Sequence, residues 1–333
     1  MYIQFYFVIS TKCNLHCSHC IRKYSDNYNN LQLSKDDIIN ITSQSKTRDL
    51  NIIPILTGGE PTIAESYFDI LDYLTQKFPK VYTCTNGVLE EEKLNKLYKY
   101  KNNYIQISLD GNSTIHNKIR GEGSFEKASL SIEKLEEKGI NVSVSSTVNK
   151  YNLQSLFELA DYLSQLKIRN WKVSLEQQFE NYNELMPIEE WNNFVDDLIH
   201  YAKIPLNIKK LFDFDLFERM ERKIGREKLE KIANPNCGFC NSKCYIYPDL
   251  SVRGCTCIKD ICFGNFKKNT LDEILDNMKS YKKELDVDIS SPCYSCKWKY
   301  LCNGGCPGFS YHYNGRLGVG DIRCPLVRGM KIV

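Results

Sequence analysis

Along this chain the spacing of apolar residues switches repeatedly between two periods. Residues 3–9, IQFYFVI, alternate as a strand does, sending every second side chain to one face. Ser34, Lys35, Asp36 and Asp37 follow as a capping-box pattern, which predicts a helix running to about residue 45. The run NIIPILTGGEP, 51–61, predicts a buried strand ending in a glycine turn. A helix over 67–78, the strand VYTCT (81–85), a helix over 90–100 and the strand YIQISLDG (104–111) come next. Ser124 is placed to cap a helix that ends at Gly139, INVSVSSTV (140–148) alternates as a strand, Asn152 is placed to cap a helix over 153–166, and WKVSL (171–175) closes the series. A further helix is expected over 188–202, and the charged run FERMERKIGREKLEKI (217–232) reads as a solvated linker helix.

Six βα units of this kind require parallel strands with helices outside them. A barrel and an open doubly wound sheet both satisfy that requirement, and periodicity does not separate them. The polar signals are better placed: the first cysteine loop, TGGEP, TNG and SLDG each lie just after a strand. They therefore share one rim, at the carboxyl ends of the strands, where α/β folds bind ligands.

Composition narrows the class. A chain of 333 residues with 42% hydrophobic content buries a substantial core. Its 44 basic and 41 acidic residues are interleaved and leave a net charge of +3, so no footprint for nucleic acid or an anionic membrane is present. The opening MYIQFYFVIS lacks a basic n-region, and no stretch reaches the roughly 20 apolar residues of a membrane span. A cytoplasmic location is expected.

Fifteen cysteines without an export signal point to metal rather than to a disulfide framework. Three stand in CNLHCSHC as Cys13, Cys17 and Cys20, Cys84 is alone, and eleven fall between Cys237 and Cys324. Three thiolates leave a tetrahedral site one ligand short. Two readings are open on spacing alone: a four-iron cluster with one open iron, or zinc completed by His16 or His19.

The loop and its neighbours together are similar to a known family. A CxxxCxxC loop after the first strand with GGEP after the second resembles the radical S-adenosylmethionine (radical SAM) enzymes, over about residues 1–180. The resemblance implies a partial (β/α)6, TIM-like barrel in which Cys13, Cys17 and Cys20 ligate a 4Fe–4S cluster. It implies that the amino and carboxylate groups of S-adenosylmethionine chelate the fourth iron, and that reductive cleavage gives a 5′-deoxyadenosyl radical able to abstract hydrogen. Gly58, Gly59 and Glu60 are implied contacts of the methionine amine, Asn86, Ser108 and Asp110 of the nucleoside, and Arg120 of the methionine carboxylate. One departure is His19, where the family usually has an apolar aromatic residue.

The C-terminal cysteines carry a second resemblance. CYSCKWKYLCNGGCP gives Cys293, Cys296, Cys302 and Cys306 as C-x2-C-x5-C-x3-C followed by proline, a spacing shared with ferredoxins, with a zinc ribbon as the bland alternative. With Cys237, Cys255 and Cys324 these positions are similar to the SPASM extension, a small cysteine-rich domain of hairpin and irregular structure that holds two auxiliary clusters. The implied ligands are Cys237, Cys244, Cys255 and Cys306 for one cluster and Cys293, Cys296, Cys302 and Cys324 for the other. Cys240 competes with Cys244. Cys84, Cys257 and Cys262 stay unassigned, Cys84 reading as a small buried hydrophobe on a central strand. Leu250 stands where the extension usually has a turn glycine. The implied domains are a barrel over 1–210, a helical linker over 211–236 and a SPASM domain over 237–333.

Enzymes of this layout modify peptides and proteins. The expectation is a maturase that closes a thioether or carbon–carbon link in a ribosomally made precursor peptide, fed by an electron donor such as a flavodoxin or ferredoxin. Because the chain starts on its first strand, a leader-binding protein would be separate or dispensed with. An edge of the barrel or the hairpin is placed to hold an extended peptide by strand addition. Sulfatase-type protein oxidation and peptide epimerisation are the alternatives; Thr256 stands where sulfatase maturases typically carry an aspartate base. Rivals from other classes are a non-catalytic iron–sulfur electron carrier and a zinc-based binding module.

Overall fold

The computed structural model describes residues 2–24, 31–44 and 50–328. Its strands form one ten-stranded sheet. Strands β1 (Tyr2–Val8), β2 (Asn51–Thr57), β3 (Val81–Thr85), β4 (Asn103–Ser108), β5 (Asn141–Val148), β6 (Trp171–Leu175) and β7 (Leu206–Asn207) lie side by side in chain order, all parallel. That order separates the two architectures left open by the sequence. A doubly wound sheet reverses direction at a switch point, whereas an unbroken 1-to-6 order with right-handed crossovers puts every helix on one face and curls the sheet toward a barrel. The sheet is a partial barrel.

The two faces differ chemically, as their strand parity requires. Val81, Ile105, Ile107, Val142 and Val144 turn to the helices and are buried. Cross-strand register carries Tyr6, Ile55, Tyr82, Tyr104 and Asn141 in a row on the other face, with Cys84 and Gln106 paired one step further along. Cys84 is accordingly half-buried on a polar face, its thiol 3.8 Å from the Gln106 side-chain oxygen, rather than a buried hydrophobe in the core.

Helices α1 (Lys35–Ser43), α2 (Tyr67–Lys77), α3 (Glu91–Leu97), α4 (Ser113–Arg120), α5 (Ser124–Glu137), α6 (Ser155–Leu163) and α7 (Ile188–Tyr201) fill the connections. The Ser34–Asp37 capping box is present, and α1 stops at Ser43 with Gln44 as its C-cap; residue 45 of the expected helix lies outside the described residues. Two expected caps act differently. Ser124 is the first residue of α5, behind Gly123, and its hydroxyl donates to the Gly121 carbonyl. The Asn152 amide donates to the carbonyls of Asp110 and Thr147, so it ties two rim loops together instead of capping α6. Helix α4 was not anticipated; Asn112 caps it and its last residue is Arg120.

Residues 217–232 form parts of two helices, α8 (Phe214–Ile224) and α9 (Arg226–Ile232), broken at Gly225 with φ 80°. Exposed Arg222–Glu218, Arg226–Glu230 and Lys231–Glu227 pairs decorate them, as a solvated helix predicts. Beyond them, β8 (Lys243–Ile246), β9 (Ser251–Arg253) and β10 (Cys262–Asn265) extend the same sheet: β8 pairs parallel with β1, and β9 and β10 follow antiparallel. The outer edge of β1 is thus already occupied and is closed to an incoming peptide strand. One hydrophobic cluster runs across the join, from Ile3, Phe5 and Phe7 to Ile246, Phe263, Ile274 and Met278 of the hairpin and of α10 (Leu271–Tyr281). Among the described residues no helix is long and apolar enough to cross a membrane.

Candidate active site

The first cysteine loop is held by backbone that only glycines permit. The Gly59 N–H donates to the Ser10 carbonyl and the Glu60 N–H to the Lys12 carbonyl, both at 2.8 Å. A Cβ on Gly58 would collide with the Ser10 carbonyl and one on Gly59 with those of Thr11 and Lys12. The GG pair therefore lets the β2 turn lie directly under the entry to the cysteine loop. Arg22 closes the exit, its Nε donating to the Gly58 carbonyl at 3.0 Å.

Glu60 is fully buried beneath this turn. One carboxylate oxygen accepts from the Thr62 N–H (3.1 Å), the Thr62 hydroxyl (2.6 Å) and the Thr85 hydroxyl (2.8 Å), and the other from the Asn86 N–H (2.7 Å). Burial pushes its pKa up while these four donors oppose the rise. Glu60 thereby locks the TGGEP turn to the TNG turn. Asn86 passes the connection to the cysteine loop, its amide donating to the Asn14 side-chain oxygen at 2.7 Å and lying 3.8 Å from the Cys13 sulfur.

The opposite side of the loop is built on Asp110, also fully buried. Its Oδ2 meets His19 Nε2 at 2.7 Å and Arg120 Nε at 2.5 Å, and its Oδ1 accepts from the Thr147 N–H at 2.8 Å. Burial would raise its pKa, yet Arg120 and His19 outweigh burial and hold the carboxyl far below the usual range. His116 accepts the Asp110 N–H at Nδ1, 3.1 Å, and burial lowers its pKa to about 4, so it stays neutral at pH 7. Arg120 Nη1 reaches to 3.9 Å from the Cys17 sulfur. Ser108 lies on the polar face at the end of β4, its hydroxyl 3.4 Å from the Thr85 carbonyl.

All seven non-cysteine residues expected at this site sit on the same rim as Cys13, Cys17 and Cys20. The three thiols are half-buried; burial raises the pKa of Cys13 and pushes Cys17 up to about 11, against the pull of Arg120 on Cys17. Among the described residues no three His, Cys, Asp or Glu side chains converge as for a single metal ion. An iron–sulfur cube needs no such convergence, because each thiolate binds a different iron. The donor set fits that group: soft thiols, with N–H donors directed at two of them to tune it. His19 is turned away to Asp110, and His16 is exposed. Residues that sequence reasoning missed here are Thr62, which acts within the Glu60 turn, and Thr85, Asn14, Arg22 and the His19 partnership, which act across strands.

Beside the loop lies a cavity of about 190 Å³, lined by Ser18, His19, Asn149, Tyr151, Glu176 and Met186 among others.

In the C-terminal region Cys293 and Cys324 share one packed cluster, and both lie with Cys296 within electrostatic reach of Cys302. The other set is not brought together. Cys237, Cys255 and Cys306 are mutual neighbours, but Cys244 lies on the opposite face of β8, its sulfur 3.7 Å from that of Met278, in the core with Cys240.

Comparison with known proteins follows the geometry. Residues 7–163 match the family model of the radical SAM superfamily. Over those residues this chain carries a radical SAM domain. It is 24% identical to the Fe-coproporphyrin III synthase of Methanosarcina barkeri, over 96% of this chain and 87% of that protein. It is 26% identical to the antilisterial bacteriocin subtilosin biosynthesis protein AlbA of Bacillus subtilis, over 90% of this chain and 66% of AlbA. In fold it is similar to Streptococcus suis SuiB, solved bound to precursor peptide SuiA, with TM-score 0.79 and 17% identity over 98% of this chain and 76% of that one. Radical SAM chemistry implies S-adenosylmethionine and a 4Fe–4S cluster. Relatives acting on such different molecules assign the chemistry and leave the substrate to the site.

Proposed function

We propose that this radical SAM enzyme is a peptide maturase, closing a thioether or carbon–carbon link in a ribosomally made precursor. The observation that carries the substrate class is the cavity beside His19. At about 190 Å³ it falls below the roughly 300 Å³ of sites that enclose a whole small molecule, and so suits one side chain of a substrate whose remainder crosses the rim. A macrocycle does not fit that description. A relative named for bacteriocin biosynthesis supports the same reading, and Thr256, buried against Tyr247, offers no carboxylate for sulfatase-type oxidation.

In this reading Cys13, Cys17 and Cys20 hold the cluster. When bound, the cluster and S-adenosylmethionine together supply a 5′-deoxyadenosyl radical that takes hydrogen from an unactivated carbon. The chain's own residues position and shield. Glu60 and Asn86 fix the Cys13 side of the loop, Asp110 aims the Arg120 fork past Cys17, and the Gly58–Gly59 backbone presents the surface on which the methionine end rests. The proposed organisation is a barrel over 1–210, a linker over 211–236 and a SPASM domain over 237–333 whose two cysteine sets hold auxiliary clusters for a cytoplasmic flavodoxin- or ferredoxin-fed enzyme.

Anaerobic incubation with S-adenosylmethionine, reductant and the short peptide encoded beside its gene tests the proposal by mass spectrometry. Expected are 5′-deoxyadenosine and a peptide lighter by two hydrogens, both absent for Cys17→Ala. An unchanged mass with deuterium taken from solvent would mean epimerisation instead, and a gain of larger groups would rule out both.

A further inference from the structure

The cysteine that completes the first auxiliary set is open to direct reading. Strand parity excludes Cys244. On β8, Lys243 and Tyr245 face one way, toward Cys237 and Cys255, and Tyr245 stacks on Tyr6 at 4.5 Å. Cys244 between them points the other way, fully buried against Met278. Cys240, its competitor, is buried in the same core and neighbours Cys244, not Cys255.

A different thiol stands in the empty corner. Cys257 lies two residues beyond Cys255, and its N–H donates to the Cys255 sulfur at 3.3 Å. It belongs to a separate small cluster with Phe179, Phe309 and Ile322, against which Cys255 and Cys306 pack. Cys257 lies within electrostatic reach of Cys255, Cys306 and Cys237. The pocket also carries an unmet polar group. Arg323 is buried, binds Asp321 with Nε and Nη2, and has at Nη1 no partner among the described residues. It lies within electrostatic reach of Cys306, and Lys243 within that of Cys237 and Cys255. Two cations beside four thiols suit an anionic cluster.

We infer that Cys237, Cys255, Cys257 and Cys306 form the first auxiliary cluster site, with Cys257 in the place that the SPASM resemblance gave to Cys244. This rests on the proposal that the C-terminal region holds auxiliary clusters. Its consequence is functional. With Cys293, Cys296, Cys302 and Cys324 around the second site, both clusters have four protein thiolates, and neither presents an open iron to a substrate thiol. The pair then conducts electrons and does not bind substrate.

The test uses a parent variant with Cys13, Cys17 and Cys20 changed to alanine, reconstituted anaerobically, so that all bound iron belongs to the C-terminal region. Adding Cys257→Ala or the near-isosteric Cys257→Ser is expected to lower iron to about half of the parent value, or to give a three-iron electron paramagnetic resonance signal on mild oxidation. Adding Cys244→Ala is expected to leave iron and signal unchanged. Circular dichroism and retention of the other cluster exclude general unfolding as the cause. Full iron and an unaltered signal in both Cys257 variants, or loss in Cys244→Ala alone, would overturn the assignment. A parent variant that binds no iron would remove the auxiliary-cluster reading itself, and the assignment with it.

Discussion

Two buried carboxylates organise this site, and they do so in opposite electrostatic states. Among the described residues Glu60 makes no ion pair and is held by four neutral donors, whereas Asp110 is paired with Arg120 and His19. The second arrangement makes a pH prediction. Because the folded-state pKa of Asp110 is depressed, its contribution to stability is complete above the unfolded value of about 4 and is lost as pH falls toward the folded value. Asp110→Asn should therefore cost roughly 3 kcal/mol at neutral pH, leaving Arg120 buried without its partner, and should flatten the acid limb of stability. Denaturant unfolding between pH 6 and pH 2 measures both; equal acid limbs in variant and parent would show that Asp110 is not the group responsible. The sequence marks Asp110 and Arg120 through SLDG and KIRG. It gives no sign of His19 as their partner, because the contact spans 91 positions.

At the scale of elements, the cysteine loop depends on the turn beneath it. Gly59→Ala places a methyl group on the carbonyls of Thr11 and Lys12, so either turn or loop must move. A loss of about 1–3 kcal/mol is expected, as for overpacking elsewhere, with impaired iron binding at Cys13, Cys17 and Cys20 while the C-terminal iron is kept. Iron analysis of the reconstituted variant, with and without the C-terminal ligands, separates the two. Helix α4 shows what was hard to read. Eight residues hold too few apolar positions for a period, and the Asn112 cap is its one clear signal. Leu250 was legible in advance: it sits at φ 70°, the conformation for which a turn glycine is the usual choice.

The whole molecule is more unified than its three expected domains suggest. Strand β8 pairs with β1 over four registered positions, and the hairpin shares its hydrophobic cluster with the first strand. A chain cut after residue 210 would expose that edge together with the apolar side chains of β1 that share a cluster with the hairpin. It is expected to aggregate or to bind a hydrophobic dye in a molten state, whereas the full chain should not. A soluble, dye-negative fragment with a cooperative unfolding transition would show that the barrel is autonomous.

What the amino-acid sequence determined alone is whatever short-range physics writes into it. Alternation and capping located six of the seven strands that lie parallel in chain order and most helices, and polar signals after the first four strands placed Cys13, Glu60, Asn86 and Asp110 on one rim. Tertiary structure decided the matters that depend on which face a residue takes and what comes to meet it. These are the barrel order rather than a doubly wound one, the burial of Glu60 among donors from two separate turns, and the separation of Cys244 from Cys255. Spacing counts residues, but ligation requires side chains on the same side of a strand, and a period of two sends neighbours to opposite sides.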